Sequence, residues 1–246
     1  MLIKCNFESN LFLMKNLIIA STSTLSGEEY LEYLLPELEI LFKNTDTIVF
    51  IPYARPGGMT HDNYTNNVKT AFAKINKKVI GLHEFENPKE EILNAKGIFV
   101  GGGNTFLLVS QLYQNDVMTS LKRVINDGIP YLGTSAGSNI TGVSMQTTND
   151  MPIIYPPSFD TLGIIPFNLN PHYLDADLQS KNMGETRETR IKEFHAFNEV
   201  PVLGLREGSW LEVKGEEIIL KGNLSARLFL QNQKPTEIET ESIIKL

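Results

Sequence analysis

Gly133-Thr134-Ser135-Ala136-Gly137 is the stretch around which the rest of this sequence is best interpreted. It follows a short apolar run, Ile129-Pro130-Tyr131-Leu132, and leads into a possible helix that begins near Ser138. A strand, a G-x-S-x-G motif and a helix in succession form a nucleophile elbow, which holds the serine hydroxyl clear of the backbone. Glycines are needed there because the turn is too tight for side chains. The motif predicts a nucleophilic Ser135, although an ordinary serine in a glycine-rich turn gives the same pattern.

Apolar runs and helical patterns alternate along most of the chain. The predicted strands cover residues 17–20, 47–52, 77–82, 97–100 and 200–205. The predicted helices begin at Ser26, near Asp62, at Asn87, near Phe106 and at Glu185. This alternation is typical of an α/β fold, here a largely parallel (mixed) sheet with helices on both faces. Ligands of such sheets bind beyond the C-terminal ends of the strands, where the elbow and the turn Gly101-Gly102-Gly103 both fall.

The domain organisation is predicted to be simple. No linker rich in Pro, Gly or Ser divides the 246 residues. We expect one domain over residues 14–246, preceded by a weakly ordered extension at residues 1–13, because a regular apolar pattern begins only near Met14. Short alternating stretches between Trp210 and Leu246 predict antiparallel strands that complete the edge of the sheet.

The composition excludes several classes of function. A net charge of −7 without a basic stripe makes nucleic acid and anionic membranes poor partners. The single cysteine, Cys5, and four histidines without a metal-ligand spacing argue against a catalytic metal, and we expect no cofactor. No apolar run approaches the roughly 20 residues that span a bilayer, and the first residues lack the features of a signal peptide. We therefore expect a cytoplasmic protein, with its oligomeric state left open.

A nucleophilic serine requires a base and a carboxylate that orients this base. The four possible bases are His61, His83, His172 and His195. His172, in Asn170-Pro171-His172-Tyr173, is the best of them, because proline restricts the loop around it. Two carboxylates compete to orient the base: Asp150, in a polar loop, and Glu207, directly after a predicted strand. Any of these residues alone is more often structural or solvated, and the sequence leaves the choice of carboxylate open.

The turn Gly101-Gly102-Gly103 offers backbone N–H groups that no side chain obstructs. Together with the N–H of Ala136, one of them would form an oxyanion hole with two donors. A phosphate cradle is the competing interpretation, but the turn lacks the lysine of a P-loop and the G-x-G-x-x-G spacing. A plain tight turn is the third interpretation.

These residues occur in segments that resemble peptidase E, the α-aspartyl dipeptidase group of serine peptidases. The matching segments, in order, are Ser23-Thr24-Leu25, Gly101-Gly102-Gly103-Asn104-Thr105-Phe106, Gly133-Thr134-Ser135-Ala136-Gly137-Ser138-Asn139, Thr147-Thr148-Asn149-Asp150-Met151-Pro152-Ile153, Asn170-Pro171-His172, Gly184-Glu185-Thr186-Arg187 and Glu207-Gly208. They extend from about Met14 to the last strands, so the resemblance covers nearly the whole chain.

The resemblance implies hydrolysis of small peptides that begin with aspartate, without a metal. It implies that Ser135 is the nucleophile and His172 the base, with Asp150 and Glu207 both candidate partners of the histidine. It further implies that Gly103 and Ala136 are oxyanion donors. By the same resemblance Arg187 binds the aspartyl carboxylate of the substrate, a role that suits the two parallel hydrogen bonds of a guanidinium. Arg206, beside Glu207, is the second candidate for that positive charge.

Three other interpretations remain. A cyanophycinase-like peptidase acting on β-linked aspartyl-arginine would share the elbow and its partners. An amidotransferase-like binding domain without activity would retain the elbow alone, and the combined presence of Ser135, His172, both carboxylates and the glycine turn argues against it. An esterase with an α/β-hydrolase fold is disfavoured because Ser135 and His172 are close in sequence.

Overall fold

The computed structural model describes residues 15–176 and 184–246. Within these ranges the chain forms a seven-stranded sheet and a four-stranded sheet. The strands are β1 (Asn16–Ala20), β2 (Thr47–Ile51), β3 (Lys78–Gly81), β4 (Ile98–Val100), β5 (Tyr131–Thr134), β6 (Asn168–Pro171), β7 (Val202–Leu205), β8 (Ser209–Lys214), β9 (Glu217–Gly222), β10 (Ala226–Phe229) and β11 (Thr236–Ile238). The α-helices are α1 (Leu35–Leu41), α2 (His61–Ala73), α3 (Pro88–Asn94), α4 (Thr105–Gln114), α5 (Met118–Asn126), α6 (Ala136–Asn139) and α7 (Arg187–His195).

The larger sheet has the order β3-β2-β4-β5-β1-β8-β9. Its first five strands are parallel, and β8 and β9 extend the edge in antiparallel fashion. Successive residues of β1 enter different cores: Leu17 and Ile19 belong to one apolar cluster, whereas Ile18 and Ala20 belong to another. Because side chains alternate between the faces of a strand, both faces of this sheet are buried. The prediction of an α/β fold with a largely parallel sheet is confirmed.

The smaller sheet has the order β11-β10-β7-β6, in which only the β6–β7 pair is parallel. Leu169 of β6 and Leu203 of β7 share one apolar cluster with Leu17 of β1, so this sheet packs against the larger one. The prediction that all strands after Trp210 complete one edge is therefore wrong for β10 and β11. An alternating pattern indicates a strand but does not specify its neighbour, and here β10 pairs with β7 instead.

Most predicted elements are present, with one clear error near the N-terminus. Ser26 does not begin a helix: a single 3₁₀ turn spans Glu32–Leu34, and α1 starts at Leu35. Leu31 adopts a left-handed φ of 61°, which interrupts any helix from Ser26, and Pro36 suits the first turn of α1. The extension predicted at residues 1–13 lies outside the described residues, and the single domain from residue 14 remains a prediction. No helix among the described residues is long and apolar enough to cross a membrane.

The C-terminal ends of three neighbouring strands meet at one edge of the larger sheet. Ala20 of β1 is in register with Thr134 of β5, and Val100 of β4 is in register with Gly133. The residues that follow these strands therefore lie side by side. Since parallel sheets place their sites at this edge, the fold brings the elbow and the glycine turn into one region.

Candidate active site

The turn at Ser135 has the strained geometry of a nucleophile elbow. Ser135 has φ 53° and ψ −109°, between β5 and the single-turn helix α6. The flanking glycines are required by close contacts: a Cβ on Gly133 would lie 2.6 Å from the carbonyl oxygen of Gly137, and a Cβ on Gly137 would lie 2.1 Å from that of Val100. The backbone therefore turns sharply enough to lift the Ser135 hydroxyl off the end of the strand.

His172 is the histidine that contacts this serine. Its Nε2 lies 2.8 Å from Ser135 Oγ. His172 follows β6 directly and has a left-handed φ of 54°. Its backbone N–H donates a hydrogen bond of 2.9 Å to Ser21 Oγ, and the Ser21 hydroxyl in turn donates to the carbonyl of Leu205 at 2.7 Å. Ser21, at the end of β1, thus fixes the loop that presents the imidazole.

Glu207 is the carboxylate that the structure brings to His172. Its Oε1 lies 2.5 Å from His172 Nδ1. The two residues follow adjacent parallel strands, in which Pro171 is in register with Leu205. A neutral imidazole with its proton on Nδ1 donates to Glu207 and leaves Nε2 to accept the Ser135 hydroxyl. The side chains of His172 and Glu207 are 37% and 50% exposed, so the pair is accessible from solvent.

Asp150, the other candidate partner of His172, is held elsewhere. Its Oδ2 accepts hydrogen bonds from the backbone N–H and the hydroxyl of Thr105, at 2.7 and 2.6 Å, and one of 3.0 Å from Thr148 Oγ1. Thr105 is the first residue of α4, where a negative charge is favoured by the helix dipole. All three bonds use one carboxylate oxygen, and no hydrogen bond within residues 15–176 and 184–246 uses Oδ1.

The glycine turn lies directly against the serine. A Cβ on Gly102 would be 2.9 Å from Ser135 Cβ and 3.5 Å from its Oγ. Gly103 has φ 145°, and a Cβ there would lie 2.3 Å from the carbonyl oxygen of Ala54, so only glycine fits. Ala136 is the first residue of α6, and the N–H groups of a first turn have no partner inside the helix. Backbone donors from both turns therefore border the hydroxyl.

Arg187 is the first residue of α7 and is half-buried. Burial lowers its pKa, the nearby charge of Arg190 acts in the same direction, and the carboxylate of Asp150 opposes both. The guanidinium stays positively charged, since even a lowered arginine pKa remains far above neutrality. Within the described parts of the chain Arg187 makes no ion pair with a carboxylate. The electrostatic effect of Asp150 on Arg187 indicates that these two side chains lie close to each other.

Among the described residues, none of the remaining candidates forms a hydrogen bond with the Ser135 hydroxyl. The second candidate cation, Arg206, is already paired with Asp175 and Glu237. His83 Nε2 contacts Asp62 at 2.9 Å, and His195 Nε2 contacts the Val200 carbonyl at 3.0 Å. The ring of His61 packs against Tyr53, with 5.6 Å between the ring centroids. Across the described ranges, no three side chains of His, Cys, Asp or Glu are grouped so that they could hold a metal ion.

Sequence reasoning missed several residues that shape the site. The sequence pattern does not single out Ser21, yet its hydroxyl supports the His172 backbone. Thr105 was seen as part of the glycine-turn motif, yet it holds Asp150. Gly102 is the glycine of the turn that lies against Ser135, whereas Gly103 lies against Ala54. The position of Ser21 at a strand end was the only available signal, because contacts between distant loops leave no local pattern.

Proteins from other organisms are similar to this chain along nearly its whole length. A protein of Streptomyces coelicolor named "Peptidase E" is 46% identical over 92% of this chain and 92% of its own length. A "Probable alpha-aspartyl dipeptidase" of Drosophila melanogaster is 46% identical over 87% of this chain and 90% of its own length.

Solved structures have the same fold at lower sequence identity. A putative peptidase E protein from Listeria monocytogenes EGD-e is 22% identical with a TM-score of 0.64, and covers 86% of this chain and 100% of its own. A peptidase from an acI-B1 Actinobacterium is 14% identical with a TM-score of 0.70, and covers 96% of this chain and 98% of its own. The model of peptidase family S51 matches residues 17–221, which contain Ser135, His172 and Glu207, and the chain belongs to this family.

Proposed function

We propose that this protein is a serine dipeptidase that hydrolyses dipeptides with an N-terminal aspartate through an acyl-enzyme. The observation that carries the proposal is the row Ser135–His172–Glu207, with 2.8 Å from Oγ to Nε2 and 2.5 Å from Nδ1 to Oε1. This arrangement is the one by which a serine becomes a nucleophile. The names of the S. coelicolor and D. melanogaster relatives support the aspartyl dipeptide as substrate.

The chemistry follows from the positions of the three side chains. Ser135 Oγ attacks the peptide carbonyl while its proton passes to His172 Nε2. Glu207 keeps the imidazole in the required tautomer and stabilises its positive charge. His172 then donates the proton to the leaving amine, and an ester between the aspartyl group and Ser135 forms. A water molecule, activated by the same histidine, hydrolyses this ester and regenerates the serine.

The developing oxyanion requires donors that are fixed before the reaction. We assign them to the backbone N–H groups of Gly103 and Ala136, on the two turns that border the Ser135 hydroxyl. Such preorganised donors strengthen their bonds as charge forms on the carbonyl oxygen.

Specificity is assigned to Arg187 and Asp150. An N-terminal aspartate carries a carboxylate and an ammonium group a few bonds apart, and the site offers an arginine and a carboxylate that interact with each other. We assign the aspartyl carboxylate to Arg187, which has no ion pair in the described residues. The ammonium group is assigned to Asp150, whose Oδ1 takes part in no hydrogen bond there. The reaction as proposed uses no cofactor and takes place in the cytoplasm.

Hydrolysis of a substrate panel tests this proposal. Purified protein is incubated with Asp-Leu, Glu-Leu, Asn-Leu, β-Asp-Leu and β-Asp-Arg, and the released amino acids are measured by chromatography. Asp-Leu should be cleaved fastest, because the neutral side chain of Asn lacks the charge that Arg187 would bind and the added methylene of Glu displaces its carboxylate. Cleavage of the β-linked substrates alone would instead indicate a cyanophycinase-like peptidase. Absence of cleavage in the whole panel would contradict the proposal.

A further inference from the structure

The loops that carry His172 and Glu207 are joined by a second contact, outside the catalytic row. Arg206 precedes Glu207, and its Nε and Nη2 donate hydrogen bonds of 2.8 Å each to the two carboxylate oxygens of Asp175. Asp175 lies three residues after His172. Two parallel bonds between a guanidinium and a carboxylate fix both distance and orientation. The contact therefore joins one loop to the other within three residues of His172 and one residue of Glu207.

The guanidinium is also anchored on its other side. Its Nη1 donates to the carbonyl of Ser225 at 2.7 Å and to Glu237 Oε2 at 2.8 Å. The side chain of Arg206 is only 14% exposed. Its hydrogen bonds lower the pKa of both Asp175 and Glu237, so all three groups are charged at neutral pH. Arg206 is thus fixed to the smaller sheet through β10 and β11 and cannot shift without breaking several bonds.

The His172 loop requires such support. The left-handed φ of His172 is unfavourable for a residue with a side chain and persists only where the surroundings impose it. The next residue, Tyr173, donates its backbone N–H to the Leu205 carbonyl at 3.1 Å. The Arg206 guanidinium lies over the ring of Tyr173, with 5.6 Å between Arg206 Cζ and the ring centroid. Arg206 therefore contacts the loop at Tyr173 and at Asp175.

We propose that Arg206 is a positioning residue, which holds His172 and Glu207 at hydrogen-bond distance through Asp175 and Glu237. The inference rests on the serine mechanism proposed above and adds a residue to which the family resemblance gives no such role. Arg206 does not touch the reacting atoms. Its loss removes the two parallel bonds to Asp175, which are the direct link between the loops of His172 and Glu207. Arg227, 3.8 Å from Asp175 and 3.2 Å from Glu237, then remains as the cation beside these carboxylates but does not join the two loops.

The same network reaches the substrate-binding helix through a second arginine. Arg227 contacts Glu237 at 3.2 Å and Glu188 at 3.1 Å. Glu188 is the neighbour of Arg187 at the start of α7. Arg206 lies nearer the catalytic row and Arg227 nearer the specificity residue. Removal of Arg206 should therefore lower kcat, whereas removal of Arg227 should mainly raise KM.

Kinetics of Arg206→Met, Arg206→Lys and Arg227→Met with Asp-Leu form the first part of the test. Arg206→Met keeps the aliphatic stem, and we expect kcat to fall about 10- to 100-fold with KM nearly unchanged, since displacement by about 1 Å has a cost of that order. Arg206→Lys keeps the charge without the two parallel bonds and should recover part of kcat. Arg123→Met removes an exposed arginine from a surface pair with Asp127 and serves as the matched control, which should retain full activity.

The second part is independent of any substrate. Long-range ¹H–¹⁵N NMR under alkaline conditions, at about pH 8.5, reports which ring nitrogen of a neutral histidine carries the proton. The signals of His172 are assigned by their loss in His172→Asn. The wild type should have the proton on Nδ1, and Arg206→Met should acquire a population with the proton on Nε2. If Arg206→Met does not fold, Arg206→Lys and Asp175→Asn are measured in its place.

The outcomes separate the two proposals. A folded Arg206→Met protein in which kcat and the His172 tautomer are both unchanged overturns the inference. A lower kcat with an unchanged His172 tautomer also overturns it, because that result indicates a structural role alone. If the wild type does not cleave Asp-Leu but the tautomer changes in Arg206→Met, the aspartyl dipeptidase proposal fails and the positioning role stands.

Discussion

His172 Nδ1 lies 2.5 Å from Glu207 Oε1, although the two residues are 35 positions apart in the chain. The parallel pairing of β6 and β7 explains this proximity, because each residue follows its strand at the same end of the smaller sheet. The nucleophile comes from the larger sheet, at the end of β5. The catalytic row thus spans the interface between the sheets, and its geometry depends on how they pack.

Replacement of Glu207 by Gln should lower kcat for Asp-Leu by at least about 100-fold, because an amide favours the wrong imidazole tautomer. Asp150→Asn is the matched control, since Asp150 does not contact His172. It should retain more of kcat and mainly raise KM, through weaker binding of the substrate ammonium group. Steady-state kinetics of both variants check the assignment, which fails if Asp150→Asn loses more of kcat than Glu207→Gln.

Replacement of Gly103 by Ala should reduce both stability and activity. The new Cβ would lie 2.3 Å from the Ala54 carbonyl oxygen at a φ of 145°, so the turn must move. Loss of one oxyanion donor typically lowers kcat by about 10²- to 10³-fold. Thermal unfolding and kcat are measured together. A variant with a lower Tm but wild-type kcat would place the oxyanion donor elsewhere.

Replacement of Arg187 by Met should remove the preference for aspartate. The aliphatic stem and its packing are retained while the charge is lost. We expect a large fall in kcat/KM for Asp-Leu and little change for Asn-Leu, so that the ratio between them approaches one. Sites built around a polar partner discriminate by as much as about 10⁴-fold, which sets the scale of the loss.

Arg190→Met provides the matched control for Arg187. Arg190 lies on the same helix, is exposed, and pairs with Glu185 at 3.6 Å. This variant should keep the preference for aspartate. An Asp-over-Asn ratio that survives in Arg187→Met would show that another residue recognises the carboxylate.

The stability contributed by Arg206 should depend on pH in a defined window. Its hydrogen bonds hold the pKa of Asp175 below the ordinary value of 3.8 and that of Glu237 below 4.5. A carboxyl group whose pKa is lowered by folding stabilises the folded state at pH values above its ordinary pKa. This stabilisation is lost as the pH falls through the lowered pKa. The Tm difference between wild type and Arg206→Met should therefore be constant from about pH 5 to 7 and narrow below about pH 4. A difference that stays constant down to about pH 2 would contradict this linkage.

The parts of the fold that local pattern determines could be predicted from the sequence. The elbow at Ser135 requires glycines at fixed spacing, and the strands before it are compact apolar runs, so both follow from short stretches. The prediction of a helix from Ser26 was wrong because Leu31 has a left-handed backbone conformation, and a leucine gives no indication of such a conformation in the sequence. The smaller sheet was missed because the pairing of β10 with β7 joins segments that are far apart.

The active site, like the fold, could be predicted from the sequence only in part. Ser135 and His172 were singled out, but the sequence left Asp150 and Glu207 as equal candidates. The distinction depends on two tertiary contacts: Thr105 binds Asp150, and the β6–β7 register places Glu207 at His172. Arg206 was considered only as a substrate-binding cation, because nothing near it in sequence reveals Asp175 and Glu237 as its partners.

The rate of Asp-Leu hydrolysis by Ser135→Ala, compared with the wild type, tests the central claim most directly. The substitution removes one half-buried hydroxyl, so Tm and circular dichroism should be unchanged. Loss of the nucleophile of a serine peptidase lowers kcat by about 10⁶-fold, and we predict a fall of this order. A folded Ser135→Ala protein that hydrolyses Asp-Leu at a rate near that of the wild type would contradict the serine mechanism.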